Sequence, residues 1–479
     1  MGPEAYGLVG FFTMMQIWFN LLDMGLTPTV ARETARFRGG VTDALSYRRL
    51  LRALQIIFLA FAFIGCIGMI ATSALIANKW LNVKDLPFGT VKDSLKLMAV
   101  CIALRWLSGF YRGCVSGFEK LVWLGGFNFG IVTLRFLCVI PILIFVGNSP
   151  VVFFAYQIIV ALLELSGLVI KSHGLIPKVL PGERISWEIK NLFNPIKSVL
   201  KFAAAIAFTS SVWVLVTQSD KLILSKLLTL ADFGYFTLAV LAANGVMMLS
   251  GPVSSALMPR MAKLHAEGDD FNLIELYRNA TQMVAAIAVS ACFVLAFFAE
   301  KILWMWTGDL YAASVAGPIL RLYALGNGFL AMAAFPYYLQ FAKGDLKLHL
   351  IGNFIFVILL VPTSIWATWE YGAIGAGYAW FCANGIYFFF WVPIVHRRFF
   401  DELHKNWIFN DLFPIISLAL TSATGFYFFV SWPVERLQCL WLLLALSMIT
   451  LLAGSLGSNK IRNAFIIKIN KSINGTQKI

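Results

Sequence analysis

Charged residues are scarce in this sequence of 479 residues, where Asp, Glu, Lys and Arg together make up only 13%. Hydrophobic residues make up 59%, and no single water-soluble core buries that much apolar surface. A lipid bilayer can cover this surface, because apolar side chains are stable there on every face of a helix. The composition therefore excludes an ordinary soluble domain and predicts a chain that crosses a membrane many times.

Several signatures of enzymes and metal proteins are also missing. The seven cysteines form no CxxC pair and mostly lie within apolar stretches, so we expect neither a disulfide framework nor a metal site. The five histidines are scattered and give no metal-binding constellation. No phosphate-binding loop of the ATPase type is present. We therefore expect no cofactor, no metal and no hydrolysis of ATP by this chain.

Thirteen apolar stretches reach the length of about 20 residues that a helix needs to cross the hydrocarbon layer. Open sheets are excluded at that depth, because each backbone group in lipid must be hydrogen-bonded within its own element. A membrane β-barrel would alternate apolar and polar residues, and runs such as Phe354–Pro362 do not. The sequence therefore predicts an all-α polytopic membrane protein. The predicted spans are 7–31, 51–77, 93–112, 121–146, 151–171, 201–227, 233–258, 279–300, 313–341, 346–367, 373–395, 412–431 and 437–456.

Basic residues outnumber acidic ones, 38 to 24, but this excess does not predict a nucleic-acid partner. It is concentrated in alternate connections between the predicted spans, which all lie on one side of the membrane. Positively charged residues collect on the cytoplasmic side, so we expect these connections and the C-terminus to be cytoplasmic. The residues that carry this bias are Arg32, Arg36, Arg38, Arg48, Arg49, Arg52, Lys171, Lys178, Arg184, Lys190, Lys197, Lys201, Arg260, Lys263, Lys343, Lys347, Arg397, Arg398, Lys405, Lys460, Arg462, Lys468 and Lys471.

The two halves of the sequence resemble each other. Tyr6-Gly7 opens a span in the first half, and Phe233-Gly234 opens one in the second half. Leu121–Asn128 similarly resembles Leu346–Asn353, at nearly the same separation. A repeat of this size indicates two homologous bundles related by a pseudo-symmetry axis. The alternative is chance similarity between apolar helices.

The repeat predicts the domain organisation. Span 201–227 precedes the second repeat but nothing precedes the first, so we expect one N-terminal helix to be missing through a mis-assigned start codon or a truncation. Restoring that helix gives two pseudo-symmetric six-helix bundles plus two C-terminal helices. Pro177 and Pro181 disfavour a continuous helix between the bundles. The predicted segments are an N-terminal bundle at 1–172, a basic cytoplasmic connection at 173–200, a C-terminal bundle at 201–396, two additional transmembrane helices at 397–457 and a basic cytoplasmic tail at 458–479.

Five stretches of the sequence carry a resemblance to a known family. They are Gly2–Gly7, Leu21–Leu26, Ala31–Arg36, Gln218–Leu224 and Phe233–Tyr235. The chain resembles the polysaccharide-biosynthesis flippases, the Wzx-like group of the multidrug/oligosaccharidyl-lipid/polysaccharide exporter (MOP) superfamily. The resemblance implies a flippase for undecaprenyl-pyrophosphate-linked oligosaccharide in a bacterial inner membrane. Twelve-span members of that group lack the two C-terminal spans, whereas peptidoglycan-lipid flippases of the superfamily have fourteen spans.

Polar and charged residues recur on single faces of several predicted spans. Charged side chains are costly in the hydrocarbon and usually face the interior of a bundle or a wet cavity. Arg112 and Lys171 lie near predicted cytoplasmic ends of spans, so we expect these two to extend toward the interface. The stripes are Gln16, Asn20, Asp23 and Thr27; Arg105, Ser108, Gly109 and Arg112; Asn128 and Arg135; Gln157, Glu164 and Lys171; Ser210, Thr217 and Lys221, with Asp220 beside them; and Arg321 among Gly317, Ala324 and Gly328.

We interpret four basic residues as the lining of a cationic cavity that binds the substrate, namely Arg105, Arg135, Arg321 and Lys221. A pyrophosphate needs charge-assisted donors, and arginine can bind it through two N–H groups at once. Asp23, Glu164 and Asp220 are candidates for balancing that charge or for taking up a coupling proton or cation. The alternative is that these charges pair with one another and only hold helices together. Adjacent Asp220 and Lys221 are not expected to face each other on a helix, so each needs another partner.

Transport by alternating access is the leading hypothesis, because the polar glycan would then cross through water and protein while its lipid tail stays in the bilayer. The expected partners are lipid-linked oligosaccharide, membrane lipid, and the polysaccharide polymerase and chain-length machinery. A multidrug exporter of the same superfamily is one alternative, although cationic drugs would favour an acidic cavity. A polytopic glycan polymerase or glycosyltransferase is another. Such an enzyme needs a large external loop or paired carboxylates, and the longest external loop, at about 78–92, offers neither.

Overall fold

Most of the residues that the computed structural model describes lie in helices, and Asn82 and Thr229 form an isolated bridge. The structure describes residues 1–23, 25–40, 42–177, 211, 214–215, 217–460 and 462. Within these ranges, eleven helices are long and apolar enough to cross a membrane. The prediction of an all-α polytopic membrane protein is confirmed.

The chain divides into two compact units, residues 1–234 and 235–479. Most of the connection predicted at 173–200, the first part of span 201–227 and nearly all of the tail predicted at 458–479 lie outside the described residues. Residues 217–227 are helical. The helices of the first unit are α1 Pro3–Phe19, α2 Leu26–Arg38, α3 Ala44–Leu75, α4 Phe88–Gly117, α5 Leu121–Phe136, α6 Val139–Phe145, α7 Pro150–Leu175 and the first turn of α8 Leu230–Ala243.

The first predicted span, 7–31, is not one continuous helix, so this part of the prediction is wrong. Helix α1 ends at Phe19, a 3-10 turn covers Asn20–Asp23, and α2 follows. The backbone of Gly25 has a φ of 69°, a conformation that favours glycine. Pro28 lies in the first turn of α2, where its ring would clash with a helical carbonyl four residues earlier. These two residues separate the helices.

Helix α4 lies at the centre of the first unit and contacts α2, α3 and α7. Two glycines on one face of α4 let α2 approach closely. A Cβ atom at Gly113 would lie 2.8 Å from the carbonyl oxygen of Thr27, and one at Gly117 would overlap the side chain of Thr34. Small residues therefore set the distance between these two helices, as is common in membrane proteins.

The two glycines that open the sequence repeats occupy a shared crossing point of α1 and α8. A Cβ atom on Gly7 would overlap the backbone carbonyl of Leu230, and one on Gly234 would lie 2.5 Å from the carbonyl oxygen of Pro3. Each helix therefore passes the other at a position where only glycine fits. The similarity of these two positions in sequence corresponds to a common packing role.

The carboxylate of Glu4 is buried in the first turn of α1 and holds the loop that precedes α4. It accepts hydrogen bonds from the backbone N–H groups of Lys84, Asp85 and Leu86 at 2.7, 3.0 and 2.8 Å. Hydrogen bonds to a charged acceptor are roughly twice as strong as neutral ones. The loop is therefore fixed to α1 by one side chain.

The second unit contains a further interrupted span. Helix α8 ends at Ala243 and α9 begins at Gly245, so the span predicted at 233–258 is interrupted at one residue, Asn244, whose backbone stays in the α region with φ −63° and ψ −17°. Helix α12 is central here and contacts α9, α10, α11 and α14. The remaining helices are α9 Gly245–Ala266, α10 Asp270–Phe297, α11 Ala299–Thr307, α12 Leu310–Lys343, α13 Lys347–Tyr371, α14 Ala373–Ile386, α15 Val392–Phe399, α16 Leu403–Asn406, α17 Phe413–Phe429 and α18 Arg436–Gly457.

The C-terminal helices α17 and α18 pack on α10, and a buried polar network joins them to it. Asp411 lies in the π-helical turn before α17 and is fully buried. It accepts two hydrogen bonds from Arg278, at 2.7 and 3.0 Å, and one from Gln282 at 2.7 Å. The side-chain oxygen of Gln282 accepts a bond of 2.9 Å from the hydroxyl of Ser458, just after α18. One face of α10 therefore binds both ends of the C-terminal helix pair.

An apolar cavity of about 290 Å³ lies in the second unit between α13, α14 and the π-helical turn Tyr387–Trp391. Gly352 on α13 contributes no side chain to its wall, and Cys382 on α14 is exposed there. The other six cysteines of the chain are buried or partly buried. All seven are free.

Candidate functional site

Three helices of the first unit each bring two polar residues, seven positions apart, into one region. Seven residues make about two helical turns, so both members of a pair point to the same side of their helix. The pairs meet because α4 packs along α7 and α5 contacts both of these helices. We call the result the arginine cluster, and its pairs are Arg105 and Arg112 on α4, Asn128 and Arg135 on α5, and Gln157 and Glu164 on α7.

At one level of the arginine cluster, Arg105 is held by amide oxygens. Its Nη1 donates to Oε1 of Gln16 on α1 at 2.9 Å, and its Nη2 donates to Oε1 of Gln157 at 2.5 Å. The guanidinium carbon lies 5.0 Å from the centre of the Phe12 ring, within cation–π distance. Both hydrogen-bonding partners are neutral, so they orient Arg105 without cancelling its charge.

At the other level, two arginines share one carboxylate. Oε1 of Glu164 accepts from Arg112 at 2.5 Å, and Oε2 accepts from Arg135 at 2.6 Å. Arg112 also donates to the side-chain oxygen of Asn128 at 2.8 Å. The carboxylate side chain is only 5% exposed, whereas those of Arg112 and Arg135 are 36% and 19% exposed. The positive groups are therefore more accessible than the negative group between them.

Gln157 connects the two levels. While its oxygen accepts from Arg105, its Nε2 donates to the backbone carbonyl of Arg135 at 3.1 Å. Gln157 is 2% exposed, so both bonds form away from bulk solvent. The two arginines are thus positioned by the same buried amide.

The arginine cluster has more positive than negative charge. Three guanidinium groups face one carboxylate, so two positive charges are not compensated within the cluster. The Nε–H groups of Arg105 and Arg135 are buried without a hydrogen-bond partner among the described residues. Guanidinium groups with unused donors are suited to phosphate and carboxylate oxygens. In the described ranges, no three His, Cys, Asp or Glu side chains are grouped so that they could hold a metal ion.

Sequence reasoning did not assign three residues that belong to or bind the arginine cluster, Arg112, Gln16 and Gln157, to the site. Arg112 was expected to extend toward the membrane interface, which stays a prediction, but its guanidinium group also binds Glu164 and Asn128. Gln16 and Gln157 were recognised as members of polar stripes but were not assigned to the site. A signal was present for Gln157 and Arg112, since Gln157 lies seven positions before Glu164 as Arg105 does before Arg112.

Asp23 lies apart from these contacts and caps α2. Its Oδ1 and Oδ2 atoms accept from the backbone N–H of Thr27 at 3.1 and 3.2 Å, and Oδ1 also accepts from the Thr27 hydroxyl at 2.7 Å. A side chain that satisfies an N–H group in the first helical turn stabilises the start of that helix. Its predicted part in charge balance or coupling stays a prediction.

Lys221 and Asp220 contact each other, contrary to the expectation for adjacent residues of a helix. Nζ of Lys221 lies 3.4 Å from Oδ1 of Asp220 and donates to the backbone carbonyl of Thr217 at 2.6 Å. Asp220 is 2% exposed. Ser210, the other member of this predicted stripe, lies outside the described residues.

Arg321 belongs to the second unit and is exposed on α12. Its Nε donates to the backbone carbonyl of Ala296 on α10 at 3.0 Å. The small residues predicted around it serve packing: a Cβ on Gly317 would lie 2.5 Å from a side-chain carbon of Glu300, and one on Gly328 would lie 2.8 Å from Sγ of Cys292. Of the seven predicted site residues, Arg105, Arg135 and Glu164 therefore lie together in the arginine cluster, and Asp220 and Lys221 contact each other.

Comparison with known proteins supports the resemblance predicted from the sequence. A family profile described as "Polysaccharide biosynthesis protein" matches residues 151–316. A protein of Shigella flexneri named "Putative O-antigen transporter" is 20% identical over 392 residues, which are 79% of this chain and 87% of that protein. An uncharacterized membrane protein of Methanocaldococcus jannaschii is 22% identical over 275 residues, which are 55% of this chain and 61% of that protein.

Two solved structures share the fold of this chain. The lipid II flippase MurJ, in an inward closed conformation, superimposes with a TM-score of 0.69 at 16% identity, covering 94% of this chain and 92% of MurJ. An inward-facing multidrug transporter of the MATE family, in the MOP superfamily, superimposes with a TM-score of 0.66 at 15% identity, covering 84% of this chain and 92% of that one. The fold predicted from the resemblance is thereby confirmed.

Proposed function

We propose that this chain, a multi-pass membrane transporter of the polysaccharide and O-antigen type in the MOP superfamily, moves undecaprenyl-pyrophosphate-linked oligosaccharide units from the cytoplasmic to the periplasmic leaflet. The carried units would supply the assembly of O-antigen, capsule or exopolysaccharide in a bacterial inner membrane. The observation that carries this proposal is the charge of the arginine cluster, where three guanidinium groups have one carboxylate. The diphosphate of the substrate would supply the missing negative charge.

The residues of the cluster have distinct parts in this proposal. Arg105 has neutral partners and contributes an uncompensated charge. Arg135 and Arg112 contribute donors that Glu164 occupies in part. Charge-assisted bonds from arginine to phosphate are strong and geometrically specific. The cluster would therefore recognise the diphosphate, which is common to all such substrates, and leave the glycan unspecified.

The other predicted site residues keep the roles that the sequence analysis gave them. Lys221 and Arg321 are proposed as further substrate contacts, each of which already donates to a backbone carbonyl. Asp23, Asp220 and Glu164 are proposed to balance charge or to take part in coupling. Alternating access would carry the headgroup across while the lipid tail stays in the bilayer. The C-terminus and the basic loops would be cytoplasmic, with the polymerase and chain-length machinery as protein partners.

Reconstitution tests this proposal directly. Purified protein in liposomes that contain an undecaprenyl-pyrophosphate-linked oligosaccharide should move the glycan to the leaflet that an added, membrane-impermeant glycosidase can reach. Arg105→Ala and Arg135→Ala should each reduce that rate by about tenfold or more, the equivalent of about 1.4 kcal/mol in the transport barrier. Both variants should also impair surface-polysaccharide assembly in cells while expression stays normal.

Lys96→Ala is the matched control for these variants. Lys96 is a basic residue on the same helix as Arg105, but its side chain is 41% exposed and pairs with Asp93 at 2.9 Å. Its replacement should leave transport unchanged. Normal transport by both arginine variants would remove the arginine cluster from the mechanism, and no transport by the unaltered protein would contradict the proposed function as a whole.

A multidrug exporter is the second candidate, because the fold is also shared with the MATE transporter at a TM-score of 0.66. The charge of the arginine cluster disfavours this candidate, since a cationic drug would be repelled by it. Export of a cationic dye from the same liposomes, without movement of the lipid-linked glycan, would favour the drug exporter.

A further inference from the structure

We infer that Glu164 is an internal competitor of the substrate: its carboxylate occupies Arg112 and Arg135 when no diphosphate is bound and yields them to the diphosphate on binding. The inference rests on the proposed function and adds a specific role for one acidic residue. It assigns Glu164 to the control of affinity rather than to coupling.

The geometry of Glu164 resembles that of a bound anion. Each of its two oxygens binds a different arginine, at 2.5 Å to Arg112 and at 2.6 Å to Arg135. These are short, charge-assisted bonds, comparable to those that an arginine forms with a phosphate oxygen. The two guanidinium groups are therefore already held at a spacing that one small anionic group bridges.

Accessibility differs between the carboxylate and the arginines that bind it. The Glu164 side chain is 5% exposed, while the side chain of Arg112 is 36% exposed. The side chain of Arg135, the second arginine that binds it, is 19% exposed. An incoming anion can therefore approach the arginines from their exposed side and does not need Glu164 to leave first.

The charge balance explains why such a competitor is useful. Without an acidic partner, three buried or partly buried guanidinium groups would be costly in the empty protein, because removing charges from water is unfavourable. Tighter binding mostly slows dissociation, so the same three groups without a competitor would release a diphosphate slowly. Glu164 lowers the cost of the empty state, because its carboxylate compensates positive charge there. It also speeds release, because the same carboxylate displaces the diphosphate from the arginines.

This role distinguishes Glu164 from a purely structural ion pair. If the carboxylate only held helices together, its removal would lower stability and would not raise the affinity for an anion. If it competes with the substrate, its removal raises that affinity and slows turnover. The competitor role therefore predicts a higher affinity for an anion together with a lower transport rate, and the experiment measures both quantities.

The binding test uses this chain in detergent with farnesyl diphosphate as a soluble probe, and the transport test uses the same chain in liposomes. Glu164→Gln keeps the shape of the side chain but removes its charge, and it should bind farnesyl diphosphate at least about tenfold more tightly than the unaltered protein, which is about 1.4 kcal/mol. Transport of the lipid-linked oligosaccharide by the same variant should fall, because release becomes slow. Added farnesol, which lacks the diphosphate, should bind equally to both proteins.

Glu33→Gln is the matched control. Glu33 is a buried carboxylate of the same unit, 4% exposed, and lies 3.8 Å from Arg32 and 3.2 Å from Arg36. Its replacement should leave the affinity for farnesyl diphosphate unchanged. Glu164→Asp is the second variant, since it keeps the charge and shortens the reach by one methylene. It keeps the inference testable if Glu164→Gln does not fold, and its affinity should lie between those of the other two proteins.

The outcomes separate the inference from the proposed function. Equal or weaker binding of farnesyl diphosphate by folded Glu164→Gln, with transport retained by the unaltered protein, would overturn the competitor role and leave the proposed function standing. If Glu164→Asp binds farnesyl diphosphate no more tightly than the unaltered protein does, the competitor role is likewise overturned and the proposed function stands. No binding and no transport by the unaltered protein would overturn both.

Discussion

Gln157 accepts a hydrogen bond of 2.5 Å from the guanidinium group of Arg105, and this bond crosses between α7 and α4. The amide also donates to the backbone carbonyl of Arg135, so one buried side chain sets the position of two arginines. Both helices would keep their apolar contacts without it. The bond therefore serves the orientation of the arginines more than the packing of the helices.

Gln157→Leu should reduce transport strongly in a protein that still folds. A lost hydrogen bond to a charged group costs about 1.5–3 kcal/mol, and here the cost falls on the alignment of Arg105. We expect a transport rate about tenfold or more below that of the unaltered protein, measured in liposomes. Gln55→Leu is the control, because Gln55 also bonds across two helices, to the hydroxyl of Tyr111 at 2.9 Å, but lies outside the arginine cluster. Equal losses in both variants would contradict the prediction.

Arg278→Met should destabilise the second unit. It leaves Asp411, which is fully buried, without its bidentate partner, and breaking a buried ion pair costs about 3–5 kcal/mol. Thermal unfolding in detergent should therefore begin at a lower temperature. The double variant Arg278→Met and Asp411→Leu should recover part of the loss, because no unpaired charge is left inside.

The control for this ion pair is Lys263→Met. Lys263 pairs with Glu267 at 3.6 Å, and its side chain is 74% exposed. Exposed pairs contribute about 0–1 kcal/mol, so unfolding should be unchanged within that range. A double variant that is no more stable than Arg278→Met would show that the carboxylate itself is not the cause of the loss.

Gly234→Ala should disturb the crossing of α1 and α8. Its Cβ atom would lie 2.5 Å from the carbonyl oxygen of Pro3 and 3.0 Å from the backbone nitrogen of Gly7, and backbone atoms cannot turn away as a flexible side chain can. We expect a lower unfolding temperature and a lower yield of folded protein in size-exclusion chromatography. Gly68→Ala on α3 is the control, because nothing lies within 4 Å of its added atom. Alanine there should be neutral or more stable by about 0.5–1 kcal/mol.

Glu4→Ala should release the loop before α4. Three backbone N–H groups, those of Lys84, Asp85 and Leu86, would lose their acceptor. Their hydrogen exchange should accelerate by about tenfold or more, since each bond to a charged group is worth about 1.5–3 kcal/mol. Glu119→Ala should leave these rates unchanged, because Glu119 is exposed and pairs with Arg38. Unchanged exchange in Glu4→Ala would mean that other contacts hold the loop.

Much of the arginine cluster could be predicted from the spacing of polar residues. The pairs Arg105 and Arg112, and Gln157 and Glu164, share a separation of seven, which places each pair on one helical face. The sequence could not show that the two faces meet, because the contact of α4 with α7 depends on packing between distant segments. For that reason Glu164 was predicted as a site residue while its partner Arg112 was placed at the interface.

The two interrupted spans mark another limit. Hydrophobicity was sufficient to predict an apolar stretch at 7–31, but it is insensitive to backbone conformation. Gly25 and Pro28 carried the signal for a break, and Asn244 marks the corresponding break between α8 and α9. The role of Asp23 follows from the same local geometry: it caps a helix whose start the apolar pattern does not reveal.

The single exposed thiol of this chain is a site for a spectroscopic label in the second unit. Cys382 lies on the wall of the apolar cavity between α13 and α14, while the other six cysteines are buried or partly buried. The thiolate is the form of cysteine that reacts with a maleimide, so labelling of the protein in detergent at mildly alkaline pH should attach a fluorescent maleimide there in preference to the six less exposed thiols. An environment-sensitive dye at that place would report solvent or lipid entering the cavity during turnover, in the protein with its natural cysteines.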